Sequence, residues 1–164
     1  MYEDHDTLVE IDIRGRFLMM ACDIELTLIY VSLYCAPDPL NPRQFEGQTM
    51  YNKIENAISD LKKHKPQYYE EYKDELDKLW HFREVRNDLA HYKLIIPKEN
   101  KYNEFQFLVI QKNAEGKERL HYKPYTKDYL AECLNKFRLL NLTLAKLVEK
   151  LDADFKLPHP NTAI

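Results

Sequence analysis

The sequence predicts a mainly all-α protein, an antiparallel bundle of four to five helices with a β-hairpin inserted before the last helix. Three observations favour this fold class. Apolar residues recur three and four positions apart over long stretches, which is the spacing of one helix face. The links between these stretches are short, as they are between antiparallel neighbours. Residues 98–126 follow a different pattern, which is typical of strands.

The first predicted helix runs from about Thr7 to Tyr34. Glu10 stands at capping-box distance from Thr7. Pro37 follows the helix, and it ends it because the residue before a proline avoids helical geometry. Apolar side chains fall on nearly every side of this helix, so we expect neighbouring helices or a second subunit to cover it.

Two carboxylates, Asp23 and Glu25, interrupt the most apolar run of this helix. At the centre of a membrane each of them would cost about 2.5–3.5 kcal/mol. We therefore interpret the run as the core helix of a protein that does not enter a membrane.

The second predicted helix runs from about Arg43 to Lys63, and the third runs from about Gln67 to Tyr92 or Leu94. Both place apolar or aromatic side chains at helical spacing. Pro66 separates the two helices, since proline suits the first turn of a helix and not its interior.

Residues 98–126 contain a run rich in Phe, Val and Ile, then a turn signal at 114–117, then a second run. This pattern predicts the β-hairpin. The last predicted helix spans about Lys127 to Leu151. We expect residues 1–157 to form a single domain and residues 158–164 to form a flexible tail.

Charge and cysteine content argue against several classes of protein. The net charge of −3 argues against binding to long DNA, because proteins that bind duplexes without sequence preference are usually basic. Cys22, Cys35 and Cys133 are far apart and odd in number, so we interpret them as reduced core residues. Acidic residues stand near the N-terminus in place of a secretory signal. The sequence thus predicts a cytoplasmic protein with no metal and no cofactor.

The residues most suited to chemistry stand at the end of the third predicted helix. Arg86 and His91 are about 140° apart on a helix, so they flank a groove. Asn87 is four positions before His91, so its amide is able to orient the imidazole. A guanidinium binds phosphate oxygens, and an imidazole exchanges protons near neutral pH.

The same residues have a purely structural interpretation. A histidine near the C-terminus of a helix is favoured by the helix dipole. Arg86 has carboxylate partners nearby in Asp88 and Glu84, or in an acid on another helix. The residue types alone leave both interpretations open.

The pattern Arg-Asn-x-x-x-His, at the end of a long helix in a helical chain of this size, resembles the HEPN superfamily (higher eukaryotes and prokaryotes nucleotide-binding). The resemblance implies a metal-independent endoribonuclease that acts as a homodimer, with two motifs facing across a symmetric cleft. It implies that Arg86 and His91 are catalytic and that Asn87 shapes the site. It also implies an RNA substrate, an antitoxin protein as partner, and a place in toxin–antitoxin or phage-defence systems.

The residues after the histidine depart from one branch of that family. In the branch paired with nucleotidyltransferase antitoxins, a tyrosine stands two positions after the histidine. This chain has Lys93 at that position and Tyr92 before it, so modification of a tyrosine by the antitoxin is not implied. We regard Tyr92 and Lys93 as candidate substrate contacts.

The carboxylates of the first helix are further candidates, because a buried carboxylate needs a partner. We predict that Glu25, or in second place Asp23, reaches the motif and shapes the site. The alternative partners are Arg14, Arg16 or a basic residue elsewhere.

A second function remains open beside the nuclease. The chain would then be a non-catalytic helical module that binds a nucleotide, RNA or a protein partner. In that case Arg86 binds a phosphate or an acidic group, and the chain catalyses no reaction.

Overall fold

The protein is mainly helical, as predicted. The structure, a computed structural model, describes residues 3–35, 47–91, 93–95, 104–112, 116 and 118–155. The helices are α1 (Glu3–Cys35), α2 (Met50–His64), α3 (Pro66–His91) and α4 (Lys127–Phe155). The strands are β1 (Lys93–Ile95), β2 (Glu104–Lys112) and β3 (Glu118–Thr126).

The start of α2 differs from the prediction. The helix begins at Met50 and not near Arg43, because residues 47–49 are not helical. Gly47 has a φ of 83°, which is a left-handed conformation that interrupts a helix. Thr49 then caps α2, since its hydroxyl accepts a hydrogen bond of 3.2 Å from the amide of Asn52.

The three strands pair in the order β1-β2-β3, and both pairs are antiparallel. β1 was not predicted, and it corrects the longer of the two predicted ends of the third helix, because Leu94 lies in this strand. β2 and β3 pair from Glu104 opposite Thr126 to Lys112 opposite Glu118. Apart from Gly116, the residues that would form their turn lie outside the described residues. The hairpin itself therefore stays a prediction.

The chain divides into two compact units. Unit 1 comprises Met1–Ala21 and Phe82–Arg138, and unit 2 comprises Cys22–His81 and Leu139–Ile164. The single domain over residues 1–157 therefore stays a prediction. The tail at 158–164 lies outside the described residues.

In unit 1, aromatic rings join three helices. The ring of Phe137 on α4 lies 6.1 Å from that of Phe17 on α1 and 5.0 Å from that of Phe82 on α3, edge to face in both cases. Edge-to-face packing adds stability beyond the apolar area that it buries. All three side chains are buried, so the core of unit 1 lies where α1, α3 and α4 meet.

In unit 2, contacts between side chains show the directions of two helix pairs. Along α2 and α3, Tyr51 contacts Trp80 at 5.3 Å and Lys62 lies 4.7 Å from the centre of the Tyr69 ring. From the first contact to the second, the residue number rises along α2 and falls along α3, so these two helices are antiparallel. α3 and α4 are antiparallel too, because Tyr68 bonds to Asp154 and Glu71 to Lys150.

α1 and α2 run in the same direction, which corrects the expectation of a wholly antiparallel bundle. Glu25 pairs with Lys53 at 2.6 Å. Ten residues further along α1, Cys35 lies close enough to Asp60 of α2 to be affected by its charge. Burial and then that charge raise the pKa of the Cys35 thiol to about 12. The prediction failed because α2 starts later than expected. The link between Cys35 and Met50 is long enough for a crossover connection.

From Phe17 to Cys35, one face of α1 is buried at the spacing of a core helix. The buried side chains are Phe17, Ala21, Ile24, Leu28, Val31 and Cys35. The Asp12–Cys35 stretch is also long and apolar enough to cross a membrane. The core helix of a soluble protein meets the same criterion of length and composition. The cytoplasmic location therefore stays a prediction.

Candidate functional site

The last turns of α3 hold the motif, and they belong to unit 1. Arg86 Nη1 donates a hydrogen bond of 3.2 Å to Asn87 Oδ1. Both side chains are half-buried, whereas His91, the last residue of the helix, is exposed. The amide oxygen of Asn87 thus helps to position the guanidinium. The expected contact of Asn87 with His91 stays a prediction.

Asp88, the next residue, ties the end of α3 to the sheet. It is only 8% exposed. Its Oδ2 accepts a hydrogen bond of 2.6 Å from Lys123 Nζ and another from the hydroxyl of Tyr125, both on β3. A carboxylate inside a protein is stable only with such partners. Asp88 therefore fixes where the helix ends relative to β3.

Arg14 stabilises the same helix end from α1. Its Nη1 donates a hydrogen bond of 2.9 Å to the carbonyl of Leu89. Carbonyls in the last turn of a helix lack helical partners, and positive charge is favoured there. Arg16, the other arginine considered as a partner of Glu25, pairs with Asp12 at 3.0 Å on an exposed part of α1.

Two aromatic side chains stack on each other, and one of them belongs to Tyr125, which bonds to Asp88. The rings of Tyr125 and Tyr129 are 5.4 Å apart and inclined by 19°. Burial, followed by the hydrogen bond to Asp88, raises the pKa of Tyr125 above its usual range. Burial, followed by a hydrogen bond with Cys133, raises the pKa of Tyr129 to about 12. Both phenols are therefore neutral near pH 7, where Tyr125 donates to Asp88 and does not act as a base.

The two carboxylates proposed to shape the site lie in unit 2. Glu25 Oε2 is 2.6 Å from Nζ of Lys53, whose side chain is buried. This contact matches the alternative in which a basic residue elsewhere pairs with Glu25. Asp23 is exposed, so it has no burial cost to offset. A role of either carboxylate at the motif stays a prediction, because the motif belongs to unit 1.

The remaining candidates are described only in part. Tyr92 lies outside the described residues. Lys93 begins β1 and stands opposite Leu108, but its side chain is not among those described. Their contact with a substrate stays a prediction.

All three cysteines are free. Cys35 and Cys133 are buried, but Cys22 is exposed, so the expectation of a core position is wrong for that residue. Among the described residues, no group of three His, Cys, Asp or Glu side chains is placed to hold a metal ion.

Lys123 and Tyr125 are the site residues that sequence reasoning missed. They stand 35 and 37 positions after Asp88, and no local pattern links residues so far apart. The sequence feature that pointed to these partners was Asp88 itself. It stands on the side of the helix next to the core, and a carboxylate there requires a hydrogen-bond donor.

The described arrangement supplies a fixed guanidinium and an exposed imidazole at one helix end. The guanidinium suits a phosphate oxygen. The imidazole is able to move one proton to or from a bound group. RNA cleavage by the 2′-hydroxyl requires both a base and an acid, whereas the motif of one chain supplies one imidazole.

No family model, curated protein or solved structure matches the chain. The resemblance to the HEPN superfamily therefore depends on Arg86, Asn87 and His91 and on the helical layout. That resemblance supports a functional proposal, and it does not assign the chain to the family.

Proposed function

We propose that the chain is a metal-independent endoribonuclease of the HEPN type. The observation that carries the proposal is the end of α3, where His91 is exposed and the guanidinium of Arg86 is held by Asn87. Permanent positive charge and a proton-transferring group are what cleavage of a phosphodiester requires. The resemblance to HEPN nucleases supports the same assignment.

In the proposed reaction, the 2′-hydroxyl loses its proton to one imidazole and attacks the adjacent phosphorus. The new O–P bond forms a 2′,3′-cyclic phosphate, and the P–O5′ bond breaks. A second imidazole gives a proton to the leaving 5′-oxygen. Arg86 stabilises the extra negative charge on the phosphorane oxygens.

The second imidazole would come from another copy of the chain. Each chain supplies one His91, and a two-fold axis would bring the same residue from both copies to one cleft. We therefore propose a homodimer that acts on RNA in the cytoplasm, in a toxin–antitoxin or phage-defence setting with an antitoxin protein as partner. In this proposal β2 and β3 form the hairpin inserted before α4.

An RNase assay in EDTA on single-stranded RNA tests the proposal. The wild type should produce fragments that end in 2′,3′-cyclic phosphate. His91→Ala should lose activity by about 10²-fold or more, and Arg86→Ala should lose it too. His81→Ala is the matched control, since His81 is an exposed histidine on the same helix, and it should keep full activity. Equal cleavage by the wild type and His91→Ala would refute the assignment.

One observation favours the non-catalytic alternative. Within the described part of unit 1, the groups beside the motif are already engaged, because Lys123 and Tyr125 both bond to Asp88. A monomer would then hold a phosphate through Arg86 without a second proton-transfer group. This alternative predicts no RNA cleavage by the wild type, together with RNA or nucleotide binding that Arg86→Ala abolishes.

A further inference from the structure

In unit 1, Asp88 holds a lysine of β3 against the end of α3. Lys123 Nζ lies 2.6 Å from Asp88 Oδ2 and 5.4 Å from the centre of the Tyr125 ring. An ammonium group has three N–H donors, and the bond to Asp88 occupies one of them. These contacts fix the ammonium group in place and leave it able to bind a further acceptor.

The ammonium group is also more accessible than the carboxylate that holds it. The side chain of Lys123 is 41% exposed, whereas the side chain of Asp88 is 12% exposed. An anion that approaches from the solvent therefore meets the positive charge of Lys123 before the negative charge of Asp88. Because the attraction between charges grows as their distance falls, this ion pair attracts an anion.

The position of Asp88 around α3 relates this lysine to the motif. Asp88 and His91 are three residues apart, so they are neighbours on the helix surface, about 60° from each other. On the other side of His91 stand Asn87 and then Arg86, whose guanidinium is bonded to Asn87. The order around the helix end is thus Arg86, Asn87, His91 and Asp88. The exposed imidazole has a fixed cation on either side of it, Arg86 on one and Lys123 on the other.

Arg14 also reaches this helix end, but at a different place. Its guanidinium is bonded to the carbonyl of Leu89, and Leu89 lies about 160° from His91 around the helix. The side chain of Leu89 is buried, so that side of α3 faces the core. Lys123 is therefore better placed than Arg14 to act together with His91.

We propose that Lys123 binds the RNA phosphate next to the one that is cleaved, an inference that rests on the proposed function. RNA has one phosphate for each link between nucleotides. A strand whose scissile phosphate contacts Arg86 and His91 therefore carries another phosphate one nucleotide away. A lysine binds such a phosphate as a point charge. Lys123 is thus a substrate-binding residue, and it transfers no proton in the reaction.

Cleavage kinetics on two substrates test this role. A dinucleoside monophosphate has the scissile phosphate alone. An oligonucleotide with a single ribonucleotide among deoxynucleotides also has one cleavable link, but with a phosphate on either side of it. Lys123→Gln removes the charge and keeps an N–H donor for Asp88. It should raise the ratio of the oligonucleotide KM to the dinucleoside KM about tenfold, since a charge-assisted hydrogen bond is lost. A purely structural role would change both KM values alike.

Lys136→Gln is the matched control. Lys136 is another ion-paired lysine of unit 1, at 2.6 Å from Glu132 on α4, and its substitution should leave the ratio of KM values unchanged. Lys123→Arg should keep the ratio close to that of the wild type, because it keeps the charge.

Binding of the same oligonucleotide at several salt concentrations separates this inference from the proposed function. Lys123→Gln should reduce the slope of log affinity against log salt by about 0.7, which corresponds to one phosphate contact on a single strand. This salt effect in a chain that does not cleave RNA would support the role of Lys123 while the proposed function fails. Cleavage with the wild-type ratio of KM values in Lys123→Gln, an equal effect in Lys136→Gln, or no binding of the oligonucleotide by the wild type would each overturn the inference.

Discussion

Among the polar residues of the motif at the end of α3, Asp88 is the one buried inside the protein. Its neighbours Arg86 and Asn87 are half-buried, and His91 is exposed. A short sequence motif thus contains two kinds of residue. Some are partly or fully open to solvent, and one anchors the helix. The exposed fraction of each side chain distinguishes these roles, whereas the residue types alone do not.

The hydroxyl of Tyr125 should contribute measurably to stability. Tyr125 is 5% exposed and donates to the buried Asp88. Tyr125→Phe would leave the carboxylate with one donor fewer, so we expect the free energy of unfolding to fall by about 1–3 kcal/mol. Urea denaturation followed by circular dichroism measures the change.

The matched control removes a hydroxyl from an exposed ring. Tyr30 is 40% exposed, so Tyr30→Phe should change the free energy of unfolding by less than about 0.5 kcal/mol. Equal effects of the two substitutions would show that the bond from Tyr125 to Asp88 stabilises nothing.

At the level of secondary structure, α4 starts at a cap that follows directly from β3. Thr126 is the last residue of β3, and its hydroxyl accepts a hydrogen bond of 3.0 Å from the amide of Tyr129. Thr126→Ala should lower stability by about 1 kcal/mol, and Thr126→Ser should restore most of it. Thermal and urea denaturation of the three proteins provide the comparison.

A second threonine of α4 serves as the control. The hydroxyl of Thr143 bonds to the carbonyl of Leu139 inside the helix, where alanine is the better helix former. Thr143→Ala should therefore be neutral or slightly stabilising. Destabilisation of the same size at both positions would mean that the cap has no special role.

Helix bounds were predictable where apolar periodicity is strong. The start of α4 at Lys127 and the end of α3 near the motif agree with the sequence pattern. The predicted start of α2 was wrong because Gly47 has a positive φ, so the backbone is not helical there, and the helix begins only at Met50. β1 has three residues, too few for periodicity to reveal, and its position depends on pairing with β2.

The candidate site was predictable only as far as it is local. Arg86, Asn87 and His91 lie within one and a half turns of a single helix, so their mutual angles follow from the sequence. The partners of Asp88 come from β3, and the partner of the Leu89 carbonyl comes from α1. Such contacts depend on tertiary packing, which residue spacing does not encode.

For the whole molecule, two half-buried phenols whose pKa is raised predict sensitivity to alkali. Burial and the bond to Asp152 raise the pKa of Tyr34 from 10.0 to about 12, and burial raises the pKa of Tyr129 to about 12 as well. The folded state holds these protons more tightly than the unfolded chain does. The resulting stabilisation is fully present below pH 10.0 and is lost as the pH rises through about 12.

Thermal denaturation from neutral pH to about pH 12 checks this prediction. The melting temperature should fall once the pH exceeds 10.0, the ordinary pKa of tyrosine, and tyrosinate absorbance should rise with unfolding. Tyr34→Phe should make the decline less steep, because one of the shifted groups is then absent. A constant melting temperature from neutral pH to about pH 12 would contradict the predicted loss of stability.

The bond between Asp88 and β3 also bears on the order of protein synthesis. A ribosome completes α3 and its motif well before it reaches Lys123 and Tyr125. Until those residues emerge, Asp88 lacks its two donors on β3, although Arg14 has already been made and is able to bind the Leu89 carbonyl. The end of α3 therefore reaches its final contacts only late in synthesis, once β3 has been made.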